Sequence, residues 1–595
     1  METLKPRLEL RLGITGHRPP RLKSESIPTI ERQLRAVLAD IKAELAKIQE
    51  EQSDCFSVAP PRLVLVSPLA AGADSIAADV VLEMGADLEV CIPFSHGRYR
   101  KDFTDEQVAT FDRLYASASH IVSLDEDQGP ADEAYEAVGM LTLHQCDILI
   151  AIWDGEPAGG QGGTSEILNE AIAEHAPVLV IDAKAEKEVR LFWSGIDSEP
   201  HDMPTLETVA TSQLEETLDK LIRALLMPPP TMSLRIWDLF GDTKQLHASS
   251  IAYPMLMAVT RARTFKAAFR RPTLEDSTSQ IEPLIEAFAP GSARQHRVET
   301  ILEPRFRCAD MAANVFALRY RSGFVSNFVM GAVAVLLSLS GLLIPPFKVY
   351  FVMAELMVIL AIVYRTRKAA NSGWHRQWID ARYLAELLRL LSLSSALGRL
   401  PLRRRGDLAG PPTMPGWYSR ATAREIGVPP IKLSGERLVL IRDRVLKLVV
   451  EQRNYHEANA KRMRKIEHWL RHVGDALFVI TIFACMVWII AKMTGTEHGH
   501  EEAVDVTAVV TFLSSLLPAV GSALYGIRMH GDFAAAGDRS HAIHNQLERL
   551  RVAIGRDPVE RGRLSARLRR LTDIMLSEVD QWRLMSEARP SELPG

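Results

Sequence analysis

The sequence is poor in cysteine and lacks the common nucleotide-binding signatures. Five cysteines in 595 residues lie far apart without a C-x-x-C pair, which argues against disulfide frameworks and zinc sites and fits a reducing compartment. Neither a P-loop, G-x-x-x-x-G-K-[ST], nor a complete G-x-G-x-x-G is present. The net charge of −4 gives no indication of nucleic-acid binding. Charges within the first dozen residues leave no apolar signal-peptide core, so we expect a cytosolic N-terminal domain.

Four long apolar stretches are present, all beyond residue 320. Spanning a bilayer takes about 17–25 apolar residues; three stretches reach this length, and the second is shorter and contains Glu355. The stretches are Gly323–Ile344, Val349–Tyr364, Gly474–Met493 and Val506–Ile527. Lys and Arg concentrate outside each pair and are scarce in the two connecting loops, which predicts two hairpins with both termini in the cytoplasm.

The first 180 residues alternate short apolar runs with helical patterns. Runs such as RLVLV, LEVCI, HIVSL, ILIAI and VLVID are typical of buried strands, and they are separated by amphipathic stretches of helical period. This alternation predicts an α/β domain whose parallel sheet is covered by helices on both faces. Ligands of such sheets bind beyond the carboxyl ends of the strands.

Three glycine-bearing segments follow predicted strands, and two of them open helices. Glycine lets backbone N–H groups approach an anion closely, and helix N-termini attract phosphate. Together the segments predict a ligand-binding site. Its candidate residues are Gly13, Thr15, Gly16, His17 and Arg18 in the first segment; Ser67, Gly72, Ala73 and Asp74 in the second; and Asp154, Gly155, Gly159, Gly160, Gly162, Gly163, Thr164 and Glu166 in the third.

These segments resemble the SLOG superfamily, a Rossmann-like group that includes the LOG-type nucleotide phosphoribohydrolases and the DprA proteins. The matching pieces are GITGHR, SPLAAGADSIAADVVLEMGADLEVCIPF and CDILIAIWDGEPAGGQGGTSEILNEA, within Leu8–Asp182. The resemblance implies a doubly wound domain that binds a nucleotide or a nucleotide-derived second messenger, with no metal. The LOG pattern P-G-G-x-G-T-x-x-E lacks its leading proline here and has altered glycine spacing, which disfavours hydrolysis and leaves binding intact.

Several candidate side chains have a second interpretation. Arg18 could contact a phosphate or base, or pair with an acidic neighbour such as Asp74. Glu166 could hold a ribose hydroxyl or cap its own helix. The segment after the strand LEVCI could belong to the rim of the site or to a charged surface loop; its residues are Arg98, Tyr99, Arg100 and Asp102. In the alternative of a membrane-tethered nucleoside phosphate hydrolase, Arg98 and Glu166 would be the catalytic residues.

The membrane half has the pattern of a duplication. An Arg-x-Arg pair precedes each hairpin, Arg319/Arg321 and Arg462/Arg464, and a Glu/Arg pair three residues apart follows each one, Glu386/Arg389 and Glu548/Arg551. HRQWIDARYLAELLR and YHEANAKRMRKIEHWLRHVGDALF resemble the SLATT group of two-transmembrane effector domains. This resemblance implies a channel-like or membrane-damaging effector gated by a nucleotide.

Three further features of this half concern packing and association. Glu355 lies within a span, where a charge is expensive and faces either a pore or a buried partner. Leu564, Leu568, Leu571 and Met575 form a short coiled-coil seam typical of self-association. The apolar stretch AYPMLMAV, before the first span, indicates a connector that packs on another surface, for example a second subunit.

We expect the chain to be a nucleotide sensor fused to a membrane effector, homo-oligomeric and placed in a bacterial inner membrane for anti-phage defence. A structural membrane protein with a degenerate nucleotide site is a further alternative. The expected regions are a nucleotide-binding domain over 1–185, a mixed or helical cytosolic connector over 186–300, the first hairpin with a cytosolic helix over 301–400, a cytosolic linker and helix over 401–455, and the second hairpin with C-terminal helices over 456–595.

Overall fold

The computed structural model describes residues 4–124, 130–157, 163–195, 204–229, 250–270, 297–403, 413–428, 431–494 and 506–587. Nine strands within these residues form one sheet. They are β1 (Glu9–Gly16), β2 (Arg62–Ser67), β3 (Asp87–Ile92), β4 (His120–Ser123), β5 (Ile148–Trp153), β6 (Val178–Asp182), β7 (Arg190–Phe192), β8 (Thr211–Gln213) and β9 (Ile431–Lys432).

The sheet has the order β8-β7-β6-β5-β1-β2-β3-β4-β9. In this order, every pair of neighbouring strands from β6 through β5 and β1 to β9 is parallel. Strands β7 and β8 extend the other edge, where the pairs β6–β7 and β7–β8 are antiparallel. Leu12 of β1 lies opposite Leu65 of β2 on one side and Ile148 of β5 on the other. Because the chain proceeds from β1 to β4 in one direction and then returns to the other side of β1, the strand order reverses between β1 and β5.

Helices cover both faces of the sheet, as predicted. They are α1 (Ile27–Glu51), α2 (Ala73–Glu83), α3 (His96–Tyr99), α4 (Asp105–Ser117), α5 (Ala131–Leu143), α6 (Thr164–Ala173) and α7 (Leu218–Leu226). Alternate residues of β5 join different apolar clusters: Ile148 and Ile150 share one with α1, and Leu149 and Ala151 pack with α6. Burial on both faces explains why the strands are almost continuously apolar.

The rest of the described chain is helical apart from β9. Its helices are α8 (Ala252–Val259), α9 (Phe265–Ala268), α10 (Glu303–Leu343), α11 (Lys348–Ser372), α12 (Trp374–Ala396), α13 (Met414–Ile426), α14 (Gly435–Met493), α15 (Val506–Gly531), α16 (Phe533–Arg556) and α17 (Arg561–Glu587). Four of them, α10, α11, α14 and α15, contain stretches long and apolar enough to cross a membrane. The four predicted spans fall on these helices.

The two hairpin units share one construction. Each has a long helix that enters the apolar region (α10 or α14) and a helix that returns from it (α11 or α15). The returning helix ends at a residue in the left-handed region, Gly373 with φ +59° or Asp532 with φ +45°. The next helix, α12 or α16, then packs against the long helix of its own unit. The units meet where Gly526 of α15 faces Phe328 of α10; a Cβ at Gly526 would lie 2.3 Å from the ring, so only glycine fits there.

Residues after the first hairpin complete the α/β domain. The two residues of β9 pair with β4, and α13 lies against the start of β1. The indole Nε1 of Trp417 donates to the carbonyl of Leu226 at 2.7 Å. The sheet therefore continues through β7 and β8, past the expected boundary at residue 185, and it also takes in part of the expected 401–455 linker.

The leucine seam is buried within the chain, whereas the AYPMLMAV stretch packs within the chain on one face and exposes Met255 and Val259 on the other. Leu564, Leu568, Leu571 and Met575 are at most 5% exposed, because α17 packs against α12 and α16. The AYPMLMAV stretch forms α8 and packs on α10, where the backbone N–H of Tyr253 donates to Ser322 Oγ at 3.2 Å. The prediction that the leucine seam serves self-association was wrong, and the prediction that the connector packs on another surface is confirmed by its packing on α10. Whether the chain is oligomeric stays a prediction.

Candidate ligand-binding site

The candidate site lies where the strand order reverses. Parallel strands end at one edge of the sheet, and the reversal between β1 and β5 opens a crevice there. The backbone N–H of His17, just after β1, donates to the carbonyl of Ile152 in β5 at 3.1 Å. Its carbonyl accepts from the N–H of Ala73, at the start of α2, at 3.2 Å. The ends of β1 and β5 and the beginning of α2 are therefore held together, as the three glycine segments predicted.

Two glycines allow this close approach. A Cβ at Gly16 would lie 2.4 Å from the Cβ of Ala73. Gly72 has φ +99°, and a Cβ there would lie 2.7 Å from the carbonyl oxygen of His17. Both positions therefore exclude a side chain. Gly13 has a different role, because it sits inside β1, where a Cβ would meet the Cys146 thiol at 2.7 Å; it is a packing glycine of the sheet.

Asp154 ties the β1 turn to the end of β5. Its carboxylate accepts hydrogen bonds from His17 Nε2 at 2.8 Å, from Arg21 Nη2 and Nε at 2.8 and 3.0 Å, and from the backbone N–H of Glu156 at 3.0 Å. Partial burial by itself raises the pKa of this carboxyl, but these hydrogen bonds outweigh it and lower the pKa to about 2. His17, predicted to contact the ligand, is thus engaged by a permanently charged carboxylate.

A second cluster of polar side chains, around Arg18, lies beside that turn. The exposed guanidinium of Arg18 lies 4.8 Å from the centroid of the Tyr135 ring. It interacts electrostatically with Tyr99, Asp74 and Tyr135. No ion pair within 4 Å joins Arg18 to Asp74 in the described coordinates, but the two side chains attract each other electrostatically. Both interpretations of Arg18, ligand contact and pairing with Asp74, therefore stay predictions. The Tyr135 hydroxyl donates to Asp102.

Tyr99 carries the most unusual group of this cluster. Its side chain is 1% exposed, and its hydroxyl has no hydrogen-bond partner within the residues that the structure describes. A buried hydroxyl without a partner costs roughly 1–3 kcal/mol. Burial also raises the pKa of this hydroxyl, so it stays protonated and able to donate. The hydroxyl is therefore suited to bonding a ligand that reaches Arg18.

Asp74 is the ionisable group of the cluster that titrates near neutrality. It is 5% exposed, and its Oδ2 accepts from the backbone N–H of Ala70 at 3.2 Å. Burial raises the pKa of Asp74 to about 7, against the opposing effects of Arg18 and of the Ala70 hydrogen bond. Ser67 supports the same turn, because its Oγ accepts from the N–H of Leu69 at 3.1 Å.

The other predicted residues that the structure describes lie near the ends of β1 and β5 and at the start of α6. Thr15 pairs with Ala151 within the sheet, and Gly155 has φ +88° in the turn after β5. Thr164 is buried in the first turn of α6, beyond Gly163, whose carbonyl accepts from the N–H of Glu166 at 3.0 Å. The predicted positions Gly159, Gly160 and Gly162 lie outside the described residues.

Arg98 is anchored away from Glu166. Its guanidinium lies 3.7 Å from the centroid of the Phe94 ring, on the β3 side of the site. Glu166 begins the helix that follows β5, and β5 and β3 are separated by β1 and β2. Three strand spacings correspond to roughly 14 Å. The two residues proposed as a catalytic pair in the hydrolase alternative therefore start from opposite sides of the crevice.

Sequence reasoning missed Tyr135 and Arg21. Tyr135 lies in the second turn of α5, the helix that follows β4, and its contribution depends on α5 leaning towards β1. Its position early in a helix that begins at the ligand edge was an available signal. Arg21 follows the two prolines after β1, and only the folded turn brings it to Asp154.

A buried ionic network occupies the opposite end of the sheet. Arg11 of β1 is fully buried and bonds Glu9 at 2.9 Å and also Glu89. Asp147, beside it, accepts from the backbone N–H of Arg11 at 3.1 Å and from the guanidinium of Arg424 in α13 at 2.9–3.1 Å. The sheet is thus bonded to a helix that lies after the first hairpin.

A second connection reaches the first apolar helix directly. Arg305, in the first turn of α10 and 1% exposed, donates to Glu425 at 2.7 Å, to Thr422 at 3.1 Å and to the carbonyl of Lys5 at 3.2 Å. One buried guanidinium thereby joins the N-terminal segment, α13 and the helix that leads into the apolar region. A movement of the sheet relative to α13 would have to break or shift these bonds.

The fold and site define an α/β protein whose sheet is joined by buried ion pairs to a helical part, and this part contains four helices of membrane-spanning length. None of the known protein families is matched by the sequence, and no curated protein is significantly similar to it.

Proposed function

We propose that the protein binds a nucleotide or a nucleotide-derived second messenger in the crevice and transmits binding to a channel-like membrane module. The observation that carries the proposal is the cluster of Arg18, Asp74 and Tyr99, in which a cation interacts with a buried hydroxyl that has no hydrogen-bond partner among the described residues. Arginine suits phosphate recognition, and the Tyr135 ring offers a surface for a base.

In this proposal the α/β domain is a Rossmann-like member of the SLOG superfamily and the helical part is a SLATT-like effector. The four spans would lie in a bacterial inner membrane with both termini in the cytoplasm, in an oligomer that limits phage infection by permeabilising its own cell. The bonds of Arg305 and Arg424 support this coupling, because they connect the sheet to the base of the first hairpin. A ligand must bind two states with different affinity to shift such an equilibrium.

Binding is tested by calorimetry on the full chain in lipid nanodiscs, with AMP, ADP-ribose, cyclic di-AMP and cyclic di-GMP as probes. We expect at least one probe to bind, and Arg18→Gln to weaken it about tenfold or more, because charge-assisted hydrogen bonds contribute roughly 1.5–3 kcal/mol. Tyr99→Phe removes only the hydroxyl and should weaken binding several-fold.

The matched control is Arg35→Gln, an exposed arginine on α1 that pairs with Glu31 and Glu83; it should bind like the wild type. Failure of all four probes to bind, or full affinity in Arg18→Gln, contradicts this site. Free base released in the same samples and lost in Asp74→Asn would favour the second candidate, a nucleoside phosphate hydrolase. That candidate draws support from the Asp74 pKa of about 7, which suits general acid–base catalysis.

The membrane orientation is tested by labelling engineered cysteines in intact cells with a membrane-impermeant maleimide. Gly499→Cys, between the third and fourth spans, should react from outside the cell. Ser53→Cys, next to α1, should react only after lysis, because the Lys/Arg distribution places it in the cytoplasm. Labelling of Ser53→Cys in intact cells, or its absence at position 499, would rule out the two-hairpin topology.

A further inference from the structure

A cavity of about 150 Å³ lies between the two hairpin units at the boundary of their apolar stretches. Helices α10 and α12 of the first unit and α14 and α16 of the second line it, together with Tyr253 of α8. Arg321 enters it two residues before the uncharged run of α10 begins, and His530 lies three residues beyond the end of the fourth apolar stretch. If these helices span a membrane, the cavity is at the level of the lipid headgroups.

Arg321 is held in this cavity by aromatic rings. Its guanidinium lies 5.0 Å from the Trp378 ring centroid and 5.3 Å from that of Tyr253. Within the described part of the chain, no carboxylate forms an ion pair with Arg321. Contacts with ring faces orient the guanidinium, and they do not use the N–H donors, which lie in the plane of the guanidinium itself.

The corresponding Arg-x-Arg pair of the second unit brings another cation near the cavity, beside Tyr455, which lines it. Arg462 of α14 lies 6.0 Å from the Tyr455 ring centroid, and its Nε donates to the carbonyl of Ala458 in its own helix. Burial, followed by the nearby charges of Arg263 and Arg321, lowers the pKa of Arg462. Burial and the proximity of His530 and Arg321 likewise lower the pKa of His375 to about 4.

The two other arginines that line the cavity, Arg382 and Arg539, are neutralised within the protein, unlike Arg321 and the nearby Arg462. Arg382 pairs with Glu386 at 2.8 Å, and Arg539 pairs with Asp532 at 3.3 Å. Arg321 and Arg462 form no such pair with any described carboxylate. Two partly buried arginines near each other are unfavourable unless an anion compensates them.

We propose that the cavity binds a phosphate group, carried either by the headgroup of an anionic phospholipid or by a soluble phosphate ester. Arginine donors match phosphate oxygens, and the surrounding Trp and Tyr rings are typical of the headgroup level. Because both units contribute a cation, a bound phosphate would stabilise their contact. This proposal rests on the membrane spans and is independent of the nucleotide site, so either one can fail alone.

The test compares the full chain in nanodiscs of phosphatidylcholine alone with nanodiscs that also contain phosphatidylglycerol. We expect a higher melting temperature in the anionic discs, and phosphatidylglycerol retained on the protein in native mass spectrometry. The double variant Arg321→Gln/Arg462→Gln should lose the temperature rise and retain about tenfold less of this lipid. Arg464→Gln is the matched control, because Arg464 is exposed and faces Asp538 at 3.5 Å.

Titration of inorganic phosphate and glycerol 3-phosphate into the phosphatidylcholine discs distinguishes the two sources. A melting-temperature rise there that the double variant lacks assigns the site to soluble phosphate. If the wild type has the same melting temperature in both kinds of disc and responds to neither soluble probe, the proposal is overturned. This outcome does not depend on the folding of any variant. Equal lipid loss in Arg464→Gln and in the double variant also overturns the proposal, because the effect would then reflect general surface charge.

Discussion

Replacing Asp147 with alanine is expected to destabilise the protein by about 3–5 kcal/mol, the usual cost of removing one partner from a buried ion pair. The guanidinium of Arg424 is 2% exposed and bonds both oxygens of Asp147, and the carboxylate has no exposed side-chain surface. Without Asp147, Arg424 keeps only its hydrogen bond to the carbonyl of Leu225 at 3.2 Å. We therefore expect α13 to detach from the sheet first.

Thermal unfolding of the full chain in nanodiscs and hydrogen exchange over α13 measure this effect. The control is Asp79→Ala, which removes the partner of Arg113 in an exposed ion pair of 2.7 Å. Exposed pairs contribute about 0–1 kcal/mol, so this variant should unfold almost like the wild type. If Asp147→Ala and Asp79→Ala melt at the same temperature, the buried pair does not hold α13 on the sheet.

Vesicles that contain the full chain are expected to release an entrapped dye when a bound nucleotide probe is added, and Glu425→Gln should reduce this release about tenfold. Glu425 accepts from Arg305 at 2.7 Å and connects α13 to the first turn of α10. The glutamine keeps the shape of the side chain but removes the charge that a charge-assisted hydrogen bond requires. Nucleotide affinity, measured by calorimetry, should stay within about twofold of the wild type.

The matched control is Glu560→Gln, which alters an exposed pair with Arg563 and should leave release unchanged. Undiminished release in Glu425→Gln would show that the coupling does not pass through Arg305. Absence of release from wild-type vesicles, with a nucleotide that demonstrably binds, would reject the effector proposal and leave the binding site standing.

Glu355 is the charged residue within the second apolar stretch, Val349–Tyr364. It lies seven residues after the start of α11, which is about 10 Å along the helix axis at 1.5 Å per residue. It is therefore nearer to the hairpin loop than to the start of α12. Its half-buried carboxylate forms no ion pair or hydrogen bond with another described residue. That Glu355 faces either a pore or a buried partner stays a prediction.

Much of the fold follows from local pattern. Strands β1 to β6, helices α1, α2, α5 and α6 and the four apolar stretches were predicted, because alternation, helical period and run length are properties of neighbouring residues. The ligand edge was also predictable, since parallel strands end together and glycine segments follow three of them. Repeated Arg-x-Arg and Glu/Arg pairs indicated two related units, and both Glu/Arg ion pairs form.

By itself, then, the sequence determined the strands, the four apolar helices and the edge where the candidate site lies, because each of these depends on short-range pattern. Only the tertiary structure decided which polar groups stay available there: Asp154 engages His17, whereas the hydroxyl of Tyr99 is buried without a described partner. It also decided that α13 and β9 complete the sheet and that the leucine seam of α17 is internal. These outcomes join residues hundreds of positions apart, and they depend on packing volume and compensation of charge, which no local periodicity records.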